Sequence, residues 1–332
     1  MKELNICVLG DGGWGTTLAI MLFRKGYKVS LWSAFADYAA VLNKQRVNRK
    51  FLPGVKIPAE IEISSDLGIA IRKKDLIIIA IPSQYVRRIL KKISRLSFPK
   101  DAIYLSVSKG IEIVSLRQVS EIVREELGKV KFAVLSGPTI AKEVVCGIPT
   151  TAVVASCDKN LGSYLQSIFT TERFRVYTNS DVIGVELGGS LKNVIAIACG
   201  ISDGLGFGTN TKAAILSRGL AEISRLGVAI GAKEITFSGI SGLGDLVTTC
   251  ISPYSRNRFV GEQIGRGKAL RFIRSHMQMV AEGMPTAKAA YLLGLKFKVD
   301  LPIITEVYRV LYKNKLPLRA VKDLMTRKRK EE

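Results

Sequence analysis

A chain of 332 residues with 47% hydrophobic and 23% charged side chains is long enough for two compact domains and too apolar for a disordered one. No stretch reaches the roughly 18–20 uninterrupted apolar residues of a membrane helix, and the opening MKELNICVLGDGG lacks the apolar region and cleavage site of a signal peptide, so a cytoplasmic protein without membrane insertion is expected. The formal net charge of +22 is spread along the chain, dense only in the tail TRKRKEE, with no helix-turn-helix, zinc-finger or RNP-type pattern, so no nucleic-acid partner is expected.

Five scattered cysteines without a C-x-x-C pair argue against a disulfide framework or a zinc site. The single histidine, His276, leaves proton transfer mostly to Lys, Asp, Glu or Tyr.

In chain order, the runs 4–10, 28–32, 75–81, 102–108, 131–137, 150–156 and 174–178 are short and rich in β-branched residues, and several are apolar on both faces. Helical stretches such as 14–26, 36–48, 84–94 and 115–127 lie between them. This alternation predicts an α/β fold, a Rossmann-type doubly wound parallel sheet over residues 1–180. CVLGDGGWGTTLA places Gly10-x-Gly12-x-x-Gly15 after the first strand and at the head of the first helix. There Gly10 permits a tight turn, Gly12 lets the backbone approach a pyrophosphate, and Gly15 packs helix on strand, which is the context of a dinucleotide loop. An acid for the ribose hydroxyls belongs about 20 residues further on. That region, SLWSAFAD, offers Ser33 and Ala34, with Asp37 falling in the next helix. Neither an acid to repel a 2′-phosphate nor a base to hold one stands there, so NAD or NADP is left open as the cofactor.

From Asp181 strands give way to helical periodicity broken by glycines, predicting an all-helical substrate-binding domain over 181–332. Within it, ELGGSLKNVIAIACG (186–200) sets Lys192 among small and apolar residues, with no carboxylate three or four positions away.

GDGGWGTTLA (10–19), NRKFLPGV (48–55), AIPSQ (80–84), SKGIE (108–112), LSGPTIAKEV (135–144), ELGGSLKNVIAIACG, SGLGDLVTTC (241–250), SRNRFVG (255–261) and VAEGMPTA (280–287) follow one another in the order of a known family. Across nearly its whole length the chain resembles the bacterial-type NAD(P)-dependent glycerol-3-phosphate dehydrogenases. The resemblance implies a homodimeric oxidoreductase that reduces dihydroxyacetone phosphate, a small phosphorylated substrate, to sn-glycerol 3-phosphate for phospholipid synthesis. A related 6-phosphogluconate or β-hydroxyacid dehydrogenase is the alternative, and SRNR and GLGDL favour the first reading.

That reaction needs a proton donor at the ketone oxygen and a grip on a phosphate. Lys192 is the expected donor, unpaired, with room for substrate beside its small neighbours and a pKa drawn down by desolvation. Lys109, directly after the 102–108 strand, sits at the carboxyl edge of the sheet, where open α/β folds bind ligands. The resemblance places it against both substrate and cofactor. It assigns donors from Gly137 and Thr139 to the substrate and puts Ala141 near the cofactor. Ser255, Arg256 and Asn257 suit a phosphate, with Arg256 also touching the cofactor; Ser255 equally reads as a helix cap. Asp245 either orients Lys192, binds a substrate hydroxyl or caps a helix. Val280 and Glu282 match a late cofactor contact. Gly13, Trp14, Ser33 and Phe51 complete the expected cofactor set with Gly10, Gly12 and Gly15. Three departures from the family stand out: Gly13 replaces a frequent Ser or Ala, Phe51 a frequent Tyr, and Ser33-Ala34 the basic residue associated with NADP. No metal is expected.

Overall fold

The computed structural model describes residues 4–96, 98–277, 280–329 and 331; of the basic tail, Lys330 and Glu332 lie outside the described residues. The chain divides into two compact units, Met1–Lys109 with Arg117–Val185, and Gly110–Leu116 with Glu186–Glu332.

In the first unit, strands β1 (Asn5–Leu9), β2 (Lys28–Trp32), β3 (Glu62–Ser64), β4 (Leu76–Ile79), β5 (Ile103–Ser106), β6 (Lys131–Ser136), β7 (Thr150–Ala155) and β8 (Phe174–Asn179) form one sheet in the order β3-β2-β1-β4-β5-β6-β7-β8. Alternation along β1 sends Ile6 and Val8 into one core with Leu31 and Ile78, and Cys7 and Leu9 into the other with Ile77 and Ile79. Apolar residues on both faces are what a sheet covered on both sides requires. The cover comes from α1 (Gly13–Arg24), α2 (Ala36–Gln45), α3 (Leu67–Ile71), α4 (Ser83–Ser94), α5 (Val119–Leu127), α6 (Ala141–Val145) and α7 (Lys159–Phe169). One pairing departs from the predicted parallel sheet: β6 and β7 run antiparallel, with Leu135 opposite Val154. The link between them holds only the five-residue α6, and an antiparallel pair needs no crossover helix on the sheet face. β1 lies between β2 and β4, so the strand order reverses there and the loop after β1 sits at the switch point of the sheet.

The second unit is helical: most of α8 (Val182–Gly204), then α9 (Thr209–Ile230), α10 (Glu234–Phe237), a π-helical turn (Ile240–Gly244), α11 (Asp245–Ile251), α12 (Arg256–Gly265), α13 (Leu270–His276), α14 (Gly283–Phe297), α15 (Pro302–Tyr312) and α16 (Pro317–Met325). α8 has the length and apolarity of a membrane span, but 83% of its most apolar window is buried inside the protein, as in a core helix. α8 and α12 touch backbone to backbone through glycines four apart on each helix. A Cβ on Gly200 would stand 2.0 Å from the Arg258 carbonyl oxygen, and one on Gly261 2.1 Å from that of Ile197. Gly204 and Gly265 repeat the contact one turn on, at 2.3 Å from Glu262 O and 2.4 Å from Ile201 O.

A buried carboxylate joins two further helices. Glu222 of α9 accepts the backbone N–H groups of Ile303 at 2.7 Å and Ile304 at 3.0 Å, in the first turn of α15. Burial pushes its carboxyl up to about 7, although both hydrogen bonds draw it back.

Candidate active site

The loop between β1 and α1 is shaped by what its glycines exclude. Gly10 has φ +122°, and a Cβ there would meet the Ala80 carbonyl oxygen at 2.5 Å. A Cβ on Gly15 would lie 2.0 Å from Gly10 O, so the helix packs directly on the turn. Gly13, where the family often has Ser or Ala, faces the Phe51 carbonyl oxygen at 2.6 Å and has no room for either. Gly12 is the opposite case, with nothing within 4 Å of its would-be Cβ. It caps α1 without a side-chain hydrogen bond, and no acid stands in the first turn. Open space beside unclaimed amides at the positive end of a 12-residue helix fits a pyrophosphate, so the residues present suit a dinucleotide.

Around this loop the fold gathers most of the predicted cofactor residues of the first unit. Phe51 meets Tyr38 edge-on at 5.9 Å, with Lys50 Nζ 5.0 Å from its ring centroid. Ala141 opens α6, and its carbonyl accepts the Thr17 hydroxyl at 3.1 Å. Trp14 lies 6.3 Å from Phe174, its indole N–H buried and without a partner. Asn48 Nδ2 donates to Asp11 O at 2.6 Å and Thr16 Oγ1 at 2.8 Å, while its Oδ1 accepts from Tyr38 Oη at 2.7 Å and Phe51 N at 3.1 Å.

The reading that no acid stands at the end of β2 is corrected by the side chains. The buried Ser33 hydroxyl donates to Asp11 Oδ2 at 2.6 Å, so the carboxylate comes from the glycine loop itself. Burial pushes the Asp11 carboxyl up, against the pull of Ser33 and the Lys50 charge.

At the ends of the neighbouring strands β5 and β6, Lys109 Nζ donates to the Gly137 carbonyl at 2.8 Å. Thr139 Oγ1 donates to the same oxygen at 3.1 Å, so acting as a donor to a ligand would require that hydroxyl to turn away.

In the second unit, Lys192 is 5% exposed and is not unpaired as the sequence suggests. Its Nζ forms a buried ion pair with Asp245 Oδ1, from α11, and donates to Thr249 Oγ1 at 2.7 Å. Thr249 donates its own proton to Asp245 O at 2.7 Å, which turns its lone pairs toward the ammonium. Of the readings of Asp245, the geometry shows the contact that orients Lys192. The small neighbours do not simply leave room either: a Cβ on Gly188, one turn before Lys192, would meet the Ser241 carbonyl oxygen at 2.7 Å.

Ser255 caps α12, accepting Arg258 N–H at 3.2 Å. Arg256 reaches across to the Val280 carbonyl at 2.8 Å, and the Glu282 charge acts on it. Asn257 is turned inward, donating to Asn193 Oδ1 at 2.8 Å and accepting Gly283 N–H at 2.9 Å. One amide N–H of Asn257 remains for a ligand. Sequence reasoning missed Thr249, Asn193, Asn48 and Asp11. Only Thr249 carried a readable cue, four residues after Asp245 on one helix face.

Comparison with known proteins bears on both units. A family model described as NAD-dependent glycerol-3-phosphate dehydrogenase N-terminus matches residues 5–162, and its C-terminal counterpart matches 181–322. A glycerol-3-phosphate dehydrogenase [NAD(P)+] from Citrifermentans bemidjiense is 49% identical over 99% of this chain and 98% of its own. One from Prosthecochloris aestuarii is 49% identical over 98% of this chain and 99% of its own. The crystal structure of glycerol-3-phosphate dehydrogenase from Coxiella burnetii superposes with a TM-score of 0.95 at 37% identity, covering 98% of this chain and 99% of that one.

Proposed function

The chain belongs to the NAD-dependent glycerol-3-phosphate dehydrogenase family, and from that premise we propose how its own side chains carry the reaction. It is an oxidoreductase that interconverts dihydroxyacetone phosphate and sn-glycerol 3-phosphate with NAD or NADP. The bound nicotinamide supplies the hydride for reduction and takes it back in oxidation. Lys192 Nζ gives a proton to the ketone oxygen as that atom gains negative charge, and in oxidation it removes the proton again. The observation that carries this role is the buried contact of Lys192 with Asp245 and Thr249, which fixes the ammonium on a rigid helix. Arg256, with Ser255 and the remaining N–H of Asn257, takes the substrate phosphate through charge-assisted hydrogen bonds. Lys109, Gly137 and Thr139 meet the substrate from the sheet edge. Gly10, Gly12, Gly13, Trp14, Gly15, Ser33, Phe51 and Ala141 hold the cofactor, joined by Lys109, Arg256, Val280 and Glu282. The active species is a homodimer in the cytoplasm, a compartment that agrees with five free thiols.

Following nicotinamide absorbance with dihydroxyacetone phosphate tests the assignment. Lys192→Met is expected to lower turnover by about a thousandfold while calorimetric binding of the cofactor persists. Because that change strands Asp245, the double variant Lys192→Met/Asp245→Asn is measured beside it, and it is expected to regain thermal stability but no turnover. Turnover near that of the parent in either variant would remove Lys192 from this role.

A further inference from the structure

The choice between the two nicotinamide cofactors turns on one group, the 2′-position of the adenosine ribose, a hydroxyl in NAD and a phosphate in NADP. In a doubly wound sheet that group lies at the carboxyl end of β2, where an acid selects the hydroxyl and a base the phosphate. β2 ends at Trp32, and the next two residues, Ser33 and Ala34, bear no charge. The charge comes instead from Asp11, on the glycine loop 22 positions earlier in the chain. Gly10 N donates to Trp32 O at 3.0 Å, which ties the glycine loop to the end of β2. Asn48 and Thr16 hold the Asp11 carbonyl at 2.6 and 3.2 Å and so fix the backbone from which the side chain departs. Its carboxylate then takes the Ser33 hydroxyl at 2.6 Å.

We propose that the Asp11–Ser33 pair is the specificity element of the cofactor site and makes this enzyme select NAD over NADP. The inference rests on the dinucleotide reading of the glycine loop and deepens it. Ser33 is buried and gives its one proton to the carboxylate, so it holds in place the half-buried Asp11, whose oxygens present acceptors to the ribose. A 2′-hydroxyl donates to such a carboxylate. A 2′-phosphate brings two negative charges and no donor, next to a half-buried carboxylate that forms no ion pair with any described Lys or Arg. The exposed Lys50 acts on Asp11 only through space.

Adenosine fragments isolate this end of the cofactor from the chemistry at the other. Calorimetric titration of the intact protein is made with 5′-AMP and with adenosine 2′,5′-bisphosphate, then with NAD⁺ and NADP⁺. The parent protein is expected to bind the unphosphorylated member of each pair at least about tenfold more tightly. Asp11→Asn keeps the shape and an acceptor but not the charge, and should shrink that ratio by about tenfold, mainly through tighter binding of the 2′-phosphorylated ligands. Equal binding of both members by the parent protein, or tighter binding of the phosphorylated one, overturns the proposal even if Asp11→Asn does not fold. So does an Asp11→Asn variant that weakens all four ligands by one common factor, the mark of a purely structural loop residue. Failure of all four ligands to bind the parent would instead overturn the dinucleotide reading, and with it the proposal.

Discussion

Glycines crowd both the loop after β1 and the crossing of α8 with α12, yet they do opposite things. In the crossing every space a methyl group would take is already filled by backbone, at 2.0 to 2.4 Å. In the loop, Gly10, Gly13 and Gly15 are equally confined, but Gly12 faces open space. The glycine loop therefore keeps an opening next to helix amides, as Gly208 does at the head of α9, while the α8–α12 crossing keeps none. Glycine beside candidate chemistry thus does not by itself mean room for a ligand. The surrounding backbone decides.

Filling the crossing should break this contrast most severely. Gly200→Val drives a branched side chain into the Arg258 carbonyl, and a stability loss of about 3 kcal/mol or more is expected in a urea titration. Both activity and the helical circular dichroism would fall together. A Gly200→Val protein as stable as its parent would show that the two helices can part.

The closed interior of the second unit has a pH-dependent consequence. The folded-state pKa of Glu222, about 7, lies above its ordinary value of 4.5, so the folded form keeps a proton that the unfolded chain releases earlier. Stability from this group is full below about pH 4.5 and is lost as pH rises through 7, by on the order of 3 kcal/mol. Melting temperatures across that range should decline for the parent, and Glu222→Gln should remove this part of the slope. Identical slopes would mean that Glu222 stays ionised in the fold.

The smallest effect belongs to the open position. Gly12→Ala has an ordinary φ of −62° and no clash, so stability should change by less than about 0.5 kcal/mol. The added methyl intrudes where a pyrophosphate approaches, and calorimetric cofactor affinity should fall by about tenfold. An unchanged affinity would place the ligand elsewhere on the loop.

Much of this was legible in the residues themselves. Two-faced apolar runs such as Leu76–Ile79 announce buried strands, and glycine spacing announces the loop. β3 was not visible because Glu62–Ser64 is too short to show a period. The antiparallel turn of β7 left no trace, since Thr150–Ala155 is as apolar as its parallel neighbours. At the site, residue type alone drew attention to the charges of Lys192 and Arg256. What sequence spacing hid was pairing over long separations: Asp245 lies 53 positions from Lys192, and Asp11 lies 22 positions from Ser33. Local periodicity carries no information about such contacts, which are settled only when helices and strands are packed.

Asn48 is 0% exposed, and its amide makes two donated and two accepted hydrogen bonds, to Asp11, Thr16, Tyr38 and Phe51. Its amide has no hydrogen-bonding capacity left over. Water cannot enter to replace one partner without disturbing the other three, so the segment around Asn48–Phe51 and the dinucleotide loop form one cooperative opening unit. Breathing of the cofactor cradle is thereby coupled to a stretch of chain more than thirty residues away in sequence. Amide-proton exchange at Phe51 becomes a distant reporter of whether that cradle is closed.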